Sequence, residues 1–312
     1  FWQKNKSFKS EKIKSKLSSF RGKYVKSSFK GFCAILTSSL TELIKEVIKG
    51  FKKMELDALI GIGGDGSMKI LKALTEKGKI KFVGIPKTID NDLGYTELSI
   101  GYSTALDVAT EALDRLQPTA ASHQRVMILE VMGRDAGHIA LNSGIAGGAD
   151  VILIPERPYT IKAIAKHIEK IRSNGRNHAL IVVAEAVKKE DGSKATVKYI
   201  DGQIRLGGIG SYIGDKIYKM TNAETRVTVL GHVQRGAQPT HRDRLIASAF
   251  GVHAVDLIAQ EKFNRVVVWQ NRGVTDVDLE SIAGKSKTVR DDDPLIKVAE
   301  GLGIYVGEIN KV

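Results

Sequence analysis

Two short segments combine small or rigid residues with aspartate in a way that suits phosphate chemistry. The first, Gly61–Ser67, reads Gly-Ile-Gly-Gly-Asp-Gly-Ser and lies between an apolar run at 56–62 and a helical apolar pattern that continues to Gly78. Glycines let the backbone approach an anion, and the free N–H groups of a helix start attract it. Because Asp65 would repel a phosphate, a divalent cation between the two explains its presence. A tight structural turn uses the same residue types.

The second segment, Pro-Lys-Thr-Ile-Asp-Asn-Asp at 86–92, follows a predicted strand at 81–85. Its carboxylates, Asp90 and Asp92, occupy alternate positions. One can act as general base towards a hydroxyl while the other helps to hold a metal ion. Aspartate and asparagine also favour ordinary turns. Two aspartate loops after neighbouring strands favour the chemical interpretation.

Cations follow or precede several other predicted strands. Arg134 stands between glycines at a strand end, and arginine there suits the charge of a transferring phosphoryl group. The remaining cations suit a phosphate dianion; they are Arg125, Arg226, His232 and Arg235. Glu185, after an apolar strand, could accept hydrogen bonds from sugar hydroxyls or form an ordinary salt bridge.

Short apolar strands alternate with amphipathic helices along the chain. We predict strands at 32–36, 56–62, 81–85, 125–132, 151–154, 179–184, 226–230 and 266–269. We predict helices at 41–51, 102–116, 136–147, 161–173, 209–220 and 242–260. This order predicts an α/β fold with two doubly wound, mainly parallel sheets. Ligands of such sheets bind at the carboxyl ends of the strands, where the aspartate clusters fall.

Composition restricts the classes of function. The 312 residues are 42% hydrophobic, which suffices for a substantial core, and no apolar run is long enough to span a membrane. The single cysteine, Cys33, excludes an internal disulfide and fits a reducing compartment. We therefore expect a cytoplasmic protein without a membrane partner.

Most of the net charge of +13 lies in one place. Residues 1–30 contain ten Lys or Arg and one acid, a charge of +9, which leaves +4 for the rest. We expect this segment to be a poorly ordered, dispensable tail, with a transit peptide as the alternative. The nearly neutral remainder argues against a nucleic-acid partner.

Six motifs occur in the order and approximate spacing of the 6-phosphofructokinases, which this sequence therefore resembles from about Leu56 to beyond Val255. They are Gly-Gly-Asp-Gly-Ser, Pro-Lys-Thr-Ile-Asp-Asn-Asp, Ser-His-Gln-Arg, Val-Met-Gly-Arg, Gly-Gly-Ala-Asp and Glu-Thr-Arg…Gly-His-Val-Gln-Arg-Gly. The resemblance implies glycolytic phosphoryl transfer from MgATP to the 1-hydroxyl of fructose 6-phosphate, which gives fructose 1,6-bisphosphate. It also implies a homo-oligomer, a tetramer or dimer, with shared active sites.

The resemblance implies a role for each matching residue. Asp90 would be the general base, with Thr88 beside the transferring group and Arg134 stabilising the transition state. Mg²⁺ would be associated with Asp65 and Asp92. The nucleotide would contact Gly63, Gly64, Asp65, Gly66 and Ser67. The sugar phosphate would contact Met132, Gly133, Glu185, His232 and Arg235, together with Arg125 and Arg226 from a neighbouring subunit.

The amino-terminal part departs from this family. Its first strand and a Gly-Gly-Asp-x-x-Gly-x-Asn loop over the nucleotide phosphates have no match in residues 1–51. We expect an atypical segment at 1–49, an incomplete nucleotide domain at 50–101 and 234–285, and a sugar-phosphate domain at 102–233 and 286–312. A truncated or altered start would explain the contrast, and a non-catalytic subunit is an alternative function.

Two residues indicate which molecule donates the phosphoryl group. Gly66 has no side chain and leaves room for the α-phosphate of a nucleotide, where pyrophosphate-using relatives place an aspartate. Lys87 instead resembles the lysine in the Pro-Lys-Thr sequence of the pyrophosphate-dependent relatives. ATP is the predicted donor, and a pyrophosphate-dependent phosphofructokinase is the alternative.

Overall fold

A computed structural model describes residues 40–198, 200 and 202–308 of the chain. The basic segment and the predicted strand at 32–36 lie outside these residues. Two compact units divide the chain: residues 40–85 with Ala249–Gly284, and Pro86–Ser248 with residues 285–308. Within the described ranges, every helix is too short or too polar to cross a bilayer.

The described residues contain nine α-helices and ten β-strands. The helices are α1 Leu40–Lys53, α2 Asp65–Gly78, α3 Tyr102–His123, α4 His138–Ala146, α5 Ile161–Ser173, α6 Ile209–Thr221, α7 His241–Ala259, α8 Leu279–Ile282 and α9 Pro294–Gly301. The strands are β1 Leu59–Gly63, β2 Phe82–Pro86, β3 Val126–Val131, β4 Val151–Leu153, β5 Ala179–Ala184, β6 Thr196–Lys198, β7 Ile204–Leu206, β8 Thr225–Val229, β9 Arg265–Gln270 and β10 Gly273–Asp278.

The first unit is built on a four-stranded sheet in the order β1-β2-β9-β10. Strand β2 pairs in parallel with β9, and β10 returns antiparallel to β9. Gly61 is required by packing, because a Cβ there would lie 2.5 Å from the Phe82 ring. Phe82 and Met68 are fully buried between this sheet and its helices.

The second unit contains the larger core, around a sheet in the order β4-β5-β3-β8 whose neighbours are all parallel. Every residue of β3, β4 and β5 is buried, as expected for strands covered on both faces. Helices α3, α4 and α6 pack against these strands. The predicted fold class, with two mainly parallel α/β sheets, is confirmed.

The differences from the predicted elements have local causes. Helix α3 continues to His123 instead of ending near residue 116, although Pro118 lies inside it. Its buried residues Leu113 and Ala120 flank this proline, so packing on both sides stabilises the continued helix. The hairpin of β6 and β7 was missed because its strands are three residues long and mostly exposed. Strand β10 was missed for a similar reason, since its residues are only partly buried.

Candidate active site

The loop after β2 holds a carboxylate in a defined setting. Asp90 is 5% exposed, and its Oδ2 accepts a hydrogen bond from the Thr88 hydroxyl at 3.1 Å. The same hydroxyl accepts the Asp90 N–H at 3.2 Å. Burial raises the pKa of Asp90, while the Thr88 hydrogen bond and the charges of Arg134 and Arg235 oppose that rise. A raised pKa is the tuning expected of a general base that works near neutral pH.

Two buried polar residues keep this loop in shape. Asn91 has a left-handed φ of 51°, which asparagine tolerates better than most residues. Its side chain donates to the Glu97 carbonyl at 3.0 Å. Ser99 donates to the Thr88 carbonyl at 2.7 Å and lies 3.2 Å from the Asn91 side-chain oxygen. The loop is therefore fixed by contacts within the second unit.

Asp92 is also buried and lies beside a cation. Its carbonyl accepts the N–H of Lys287, whose ammonium donates to the Thr96 carbonyl at 2.9 Å. Burial lowers the pKa of Lys287, and the negative charges of Asp92, Asp293 and Glu97 partly restore it. This arrangement places a positive charge next to the second aspartate of the motif.

The turn after β3 presents Arg134. Gly133 has a φ of 148°, and a Cβ on it would lie 2.7 Å from the Ala136 carbonyl, so only glycine fits there. Arg134 itself is exposed and left-handed at 51°, and its N–H donates to Glu185 Oε1 at 3.1 Å. Burial raises the pKa of Glu185, and the negative charge of Asp90 raises it further. Hydrogen bonds from the Arg134 and Gly133 N–H groups oppose this rise.

A 3₁₀ turn, Gly231–Arg235, follows β8 and presents His232 and Arg235 to solvent. Between these two, Gln234 points inwards and is 1% exposed. The carboxyl ends of β3, β5 and β8 thus bring together Arg134, Glu185 and the turn of His232 and Arg235, for which sequence predicts roles in binding and catalysis. Asp90, from the loop after β2, lies close enough to interact with the charges of Arg134 and Arg235.

The glycine segment belongs to the first unit. Helix α2 begins at Asp65 itself, and its first helical hydrogen bond joins the Met68 N–H to the Gly64 carbonyl at 3.0 Å. The N–H groups of residues 65–67 precede that bond and are suited to bind phosphate oxygens. Gly63 permits the tight turn, because a Cβ there would lie 2.4 Å from the Ser67 Cβ.

The residues present fit magnesium chemistry. Among the described residues, no group of three or more histidine, cysteine or acidic side chains could enclose a metal ion. Magnesium does not need such a cage, because it commonly binds one or two carboxylates together with substrate phosphates and water. Asp65 suits this pattern, since only its Oδ1 is used by the Gly284 N–H, at 2.7 Å.

Comparison with known proteins decides the family. The family model described as phosphofructokinase matches residues 13–258. ATP-dependent 6-phosphofructokinase 1 of Nostoc sp. is 57% identical over 270 residues, which are 86% of this chain and 75% of the relative. The corresponding protein of Synechocystis sp. is 55% identical over 263 residues, 84% of this chain and 73% of the relative. The chain belongs to the phosphofructokinase family.

Solved phosphofructokinases share the fold. The enzyme from Saccharomyces cerevisiae superposes with a TM-score of 0.66 at 29% identity, covering 77% of this chain and 34% of the yeast chain. A pyrophosphate-dependent phosphofructokinase from Nitrosospira multiformis gives a TM-score of 0.72 at 20% identity, covering 87% and 74%. At that identity the second likeness concerns the fold alone.

Two of the predicted phosphofructokinase site residues lie elsewhere in this unit. Arg125 precedes β3 and Arg226 is the second residue of β8, so both lie at the amino ends of their strands. Strand β3 has six residues and spans about 20 Å. Arg125 and Arg226 therefore lie roughly that far from the residues at the carboxyl ends of these strands. Both arginines contact Glu224, Arg125 Nε at 3.0 Å. The structure therefore brings these two together, but not with Asp90 of the same chain.

Sequence reasoning missed several supporting residues. Gln234 and Glu224 lie inside motifs that we used, but a single sequence does not show what their side chains contact. Asp243 had a clear signal: Thr240-x-x-Asp243 is a capping-box pattern, and the Asp243 N–H does donate to the Thr240 hydroxyl at 3.2 Å. Its buried carboxylate also binds the Gly101 and Thr104 N–H groups at the start of α3, at 3.0 and 2.9 Å.

Proposed function

We propose that the chain is an ATP-dependent 6-phosphofructokinase, which transfers a phosphoryl group from ATP to the 1-hydroxyl of fructose 6-phosphate. Its membership of the phosphofructokinase family supports this activity, and so do the names of the Nostoc and Synechocystis relatives. The observation that carries the proposal is the buried Asp90 carboxylate, oriented by Thr88 and close to the charges of Arg134 and Arg235.

Asp90 takes the proton of the 1-hydroxyl while that oxygen attacks the terminal phosphorus of ATP, and the bond from this phosphorus to the bridging oxygen breaks to release ADP. Its raised pKa suits a base that must accept a proton near neutral pH. Arg134 is exposed at the rim of the same cluster and stabilises the charge that develops on the transferring group. Thr88 orients the carboxylate through its hydroxyl.

Substrate recognition follows from the neighbouring turns. His232 and Arg235 hold the 6-phosphate, and Glu185 accepts hydrogen bonds from sugar hydroxyls beside Met132 and Gly133. We assign this sugar-phosphate binding to the second unit. In the first unit, Gly63, Gly64, Asp65, Gly66 and Ser67 bind the donor phosphates at the start of α2. Asp65 and Asp92 are the carboxylates that would associate with Mg²⁺, whose bound charge would offset that of the phosphates.

The positions of Arg125 and Arg226 support a homo-oligomer, a tetramer or a dimer. They lie at the far end of the sheet from Asp90, yet the resemblance gives them to the 6-phosphate. Both requirements are met when these arginines serve the site of a neighbouring subunit. Their partner Glu224 would then yield them to the incoming phosphate.

A direct assay tests the proposed function. The purified chain is incubated with fructose 6-phosphate, Mg²⁺ and either ATP or pyrophosphate, and fructose 1,6-bisphosphate is measured. We expect product with ATP and little with pyrophosphate. Product formed with pyrophosphate but not with ATP would show that pyrophosphate is the donor. A chain that binds fructose 6-phosphate but turns over neither donor would be a non-catalytic subunit.

A further inference from the structure

The side-chain amide of Gln234 joins segments that carry different parts of the site. Its Oε1 accepts the Met132 N–H at 2.9 Å, and its Nε2 donates to the Ala105 carbonyl at 3.3 Å. The side chain is 1% exposed, so water cannot replace either partner. A glutamine amide supplies this acceptor and this donor without bringing a charge.

Each connected segment leads directly to a residue of the proposed mechanism. Met132 precedes Gly133 and Arg134, whose left-handed conformations set the direction of the arginine. Gln234 itself lies in the 3₁₀ turn between His232 and Arg235. Ala105 is in the first turns of α3, which starts just after Ser99, the residue that binds the Thr88 carbonyl.

We propose that Gln234 is a positioning residue that fixes the distance between the phosphate-binding turn Gly231–Arg235 and the loop of Arg134. This inference rests on the proposed function and deepens it. The 6-phosphate anchors one end of the sugar while the transferring group meets Arg134 at the other. Their separation must therefore match the length of the substrate, because small misplacements cost rate.

The test uses Gln234→Leu, Gln234→Glu and a control, Thr221→Val. Thr221 also makes two hydrogen bonds, to the Ile217 carbonyl at 2.9 Å and from the Ala223 N–H at 3.2 Å, but at the end of α6. For Gln234→Leu we expect kcat/KM for fructose 6-phosphate to fall about 10²-fold, with the KM for ATP unchanged. Thr221→Val should lower the thermal midpoint without changing either constant.

Gln234→Glu separates positioning from general loss of structure. An ionised glutamate keeps the acceptor for Met132 but loses the donor to Ala105 and repels the phosphate. A protonated glutamate supplies both hydrogen bonds again. The activity of this variant relative to wild type should therefore rise as the pH falls, whereas the Leu variant should show no such recovery.

Hydrogen exchange and phosphate binding test the role of Gln234 without turnover. The amide hydrogen of Met132 should exchange faster in Gln234→Leu, and the affinity for inorganic phosphate should fall in parallel. Turnover of fructose 6-phosphate by the wild-type chain tests the proposed function separately. Unchanged exchange at Met132 would overturn the inference, as would unchanged fructose 6-phosphate kinetics in a folded Leu variant. If that variant does not fold, a Glu variant whose relative activity is flat with pH would overturn it.

Discussion

The Thr88 hydroxyl donates a hydrogen bond to one carboxylate oxygen of Asp90, and the other oxygen, Oδ1, is buried without a hydrogen-bond partner among the described residues. An unsatisfied buried oxygen costs free energy, so a folded protein retains it where function requires it. One oxygen is thus fixed while the other is available to accept a proton.

Replacing Asp90 with Asn should abolish phosphoryl transfer. Removal of a general base typically costs about 10²–10⁴-fold in rate, while the phosphate and sugar contacts remain. Steady-state kinetics should show this loss in kcat, and calorimetry should show nearly unchanged binding of fructose 6-phosphate. Asp191→Asn, the same change in an exposed turn, is the control. A substituted enzyme with half of the wild-type activity would contradict the assigned role.

The same substitution should stabilise the ligand-free protein. Burial raises the pKa of Asp90 above 3.8, so the folded chain keeps this proton to higher pH than the unfolded chain does. Stability is therefore lost as the pH rises through the window above 3.8. Asn carries no charge and escapes this loss. Thermal unfolding should give Asp90→Asn a higher midpoint at neutral pH, and the gain should shrink on acidification. A gain independent of pH would contradict this explanation.

Removing the Thr88 hydroxyl should shift the pH dependence of catalysis. Its hydrogen bond lowers the pKa of Asp90, so Thr88→Val should raise that pKa further. Because the base must be ionised, the acid limb of the kcat profile should move to higher pH. Thr88→Ser keeps the hydroxyl and should leave the limb in place. A Val variant whose limb coincides with that of wild type would show that Thr88 does not tune Asp90.

The sequence predicted the sheets well because their strands are continuous apolar runs between helical patterns. Helix α5 and strand β5 have the predicted bounds, since Thr160 caps the helix and every residue of β5 is buried. The strand pattern also placed Arg134, Glu185 and Arg235 at one edge, because parallel strands end on the same side of a sheet, while the roles of these residues stay predictions. The long-range side-chain contacts were not predictable, because those of Gln234, Glu224 and Asp243 with Met132, Arg125 and Gly101 join residues 99 or more positions apart in the chain. No local pattern encodes such contacts.

Gly66 offers a test of the donor. A Cβ added there has no neighbour within 4 Å, so side chains fit at this position without a clash in the fold. Gly66→Asp should therefore keep its stability but raise the KM for ATP, because a carboxylate at the start of α2 repels the nucleotide phosphates. Gly66→Ala is the matched control and should have a smaller effect. Equal kinetics for the Ala and Asp variants would show that the charge is irrelevant.

Arg125 and Arg226 test whether active sites are shared. In one chain both arginines contact Glu224 at the amino ends of their strands. The length of β3 places them about 20 Å from the carboxyl ends of these strands, near which Asp90 lies. Arg125→Ala and Arg226→Ala should each raise the KM for fructose 6-phosphate by about ten- to a hundredfold, the worth of one charge-assisted contact. The KM for ATP should change little. Arg115→Ala, which breaks an exposed ion pair with Glu111, should leave both constants unchanged.

Mixed oligomers distinguish a shared site from a long-range effect within one chain. Neither Arg125→Ala nor Asp90→Asn supports full activity alone, but an interface between them can combine an intact base with an intact Arg125. We expect co-refolded mixtures to regain activity in proportion to the fraction of such interfaces. The two variants should carry different tags, so that mixed oligomers can be isolated before the assay. Mixed oligomers without any recovery would mean that Arg125 acts only within its own chain, and the shared site would have to be abandoned.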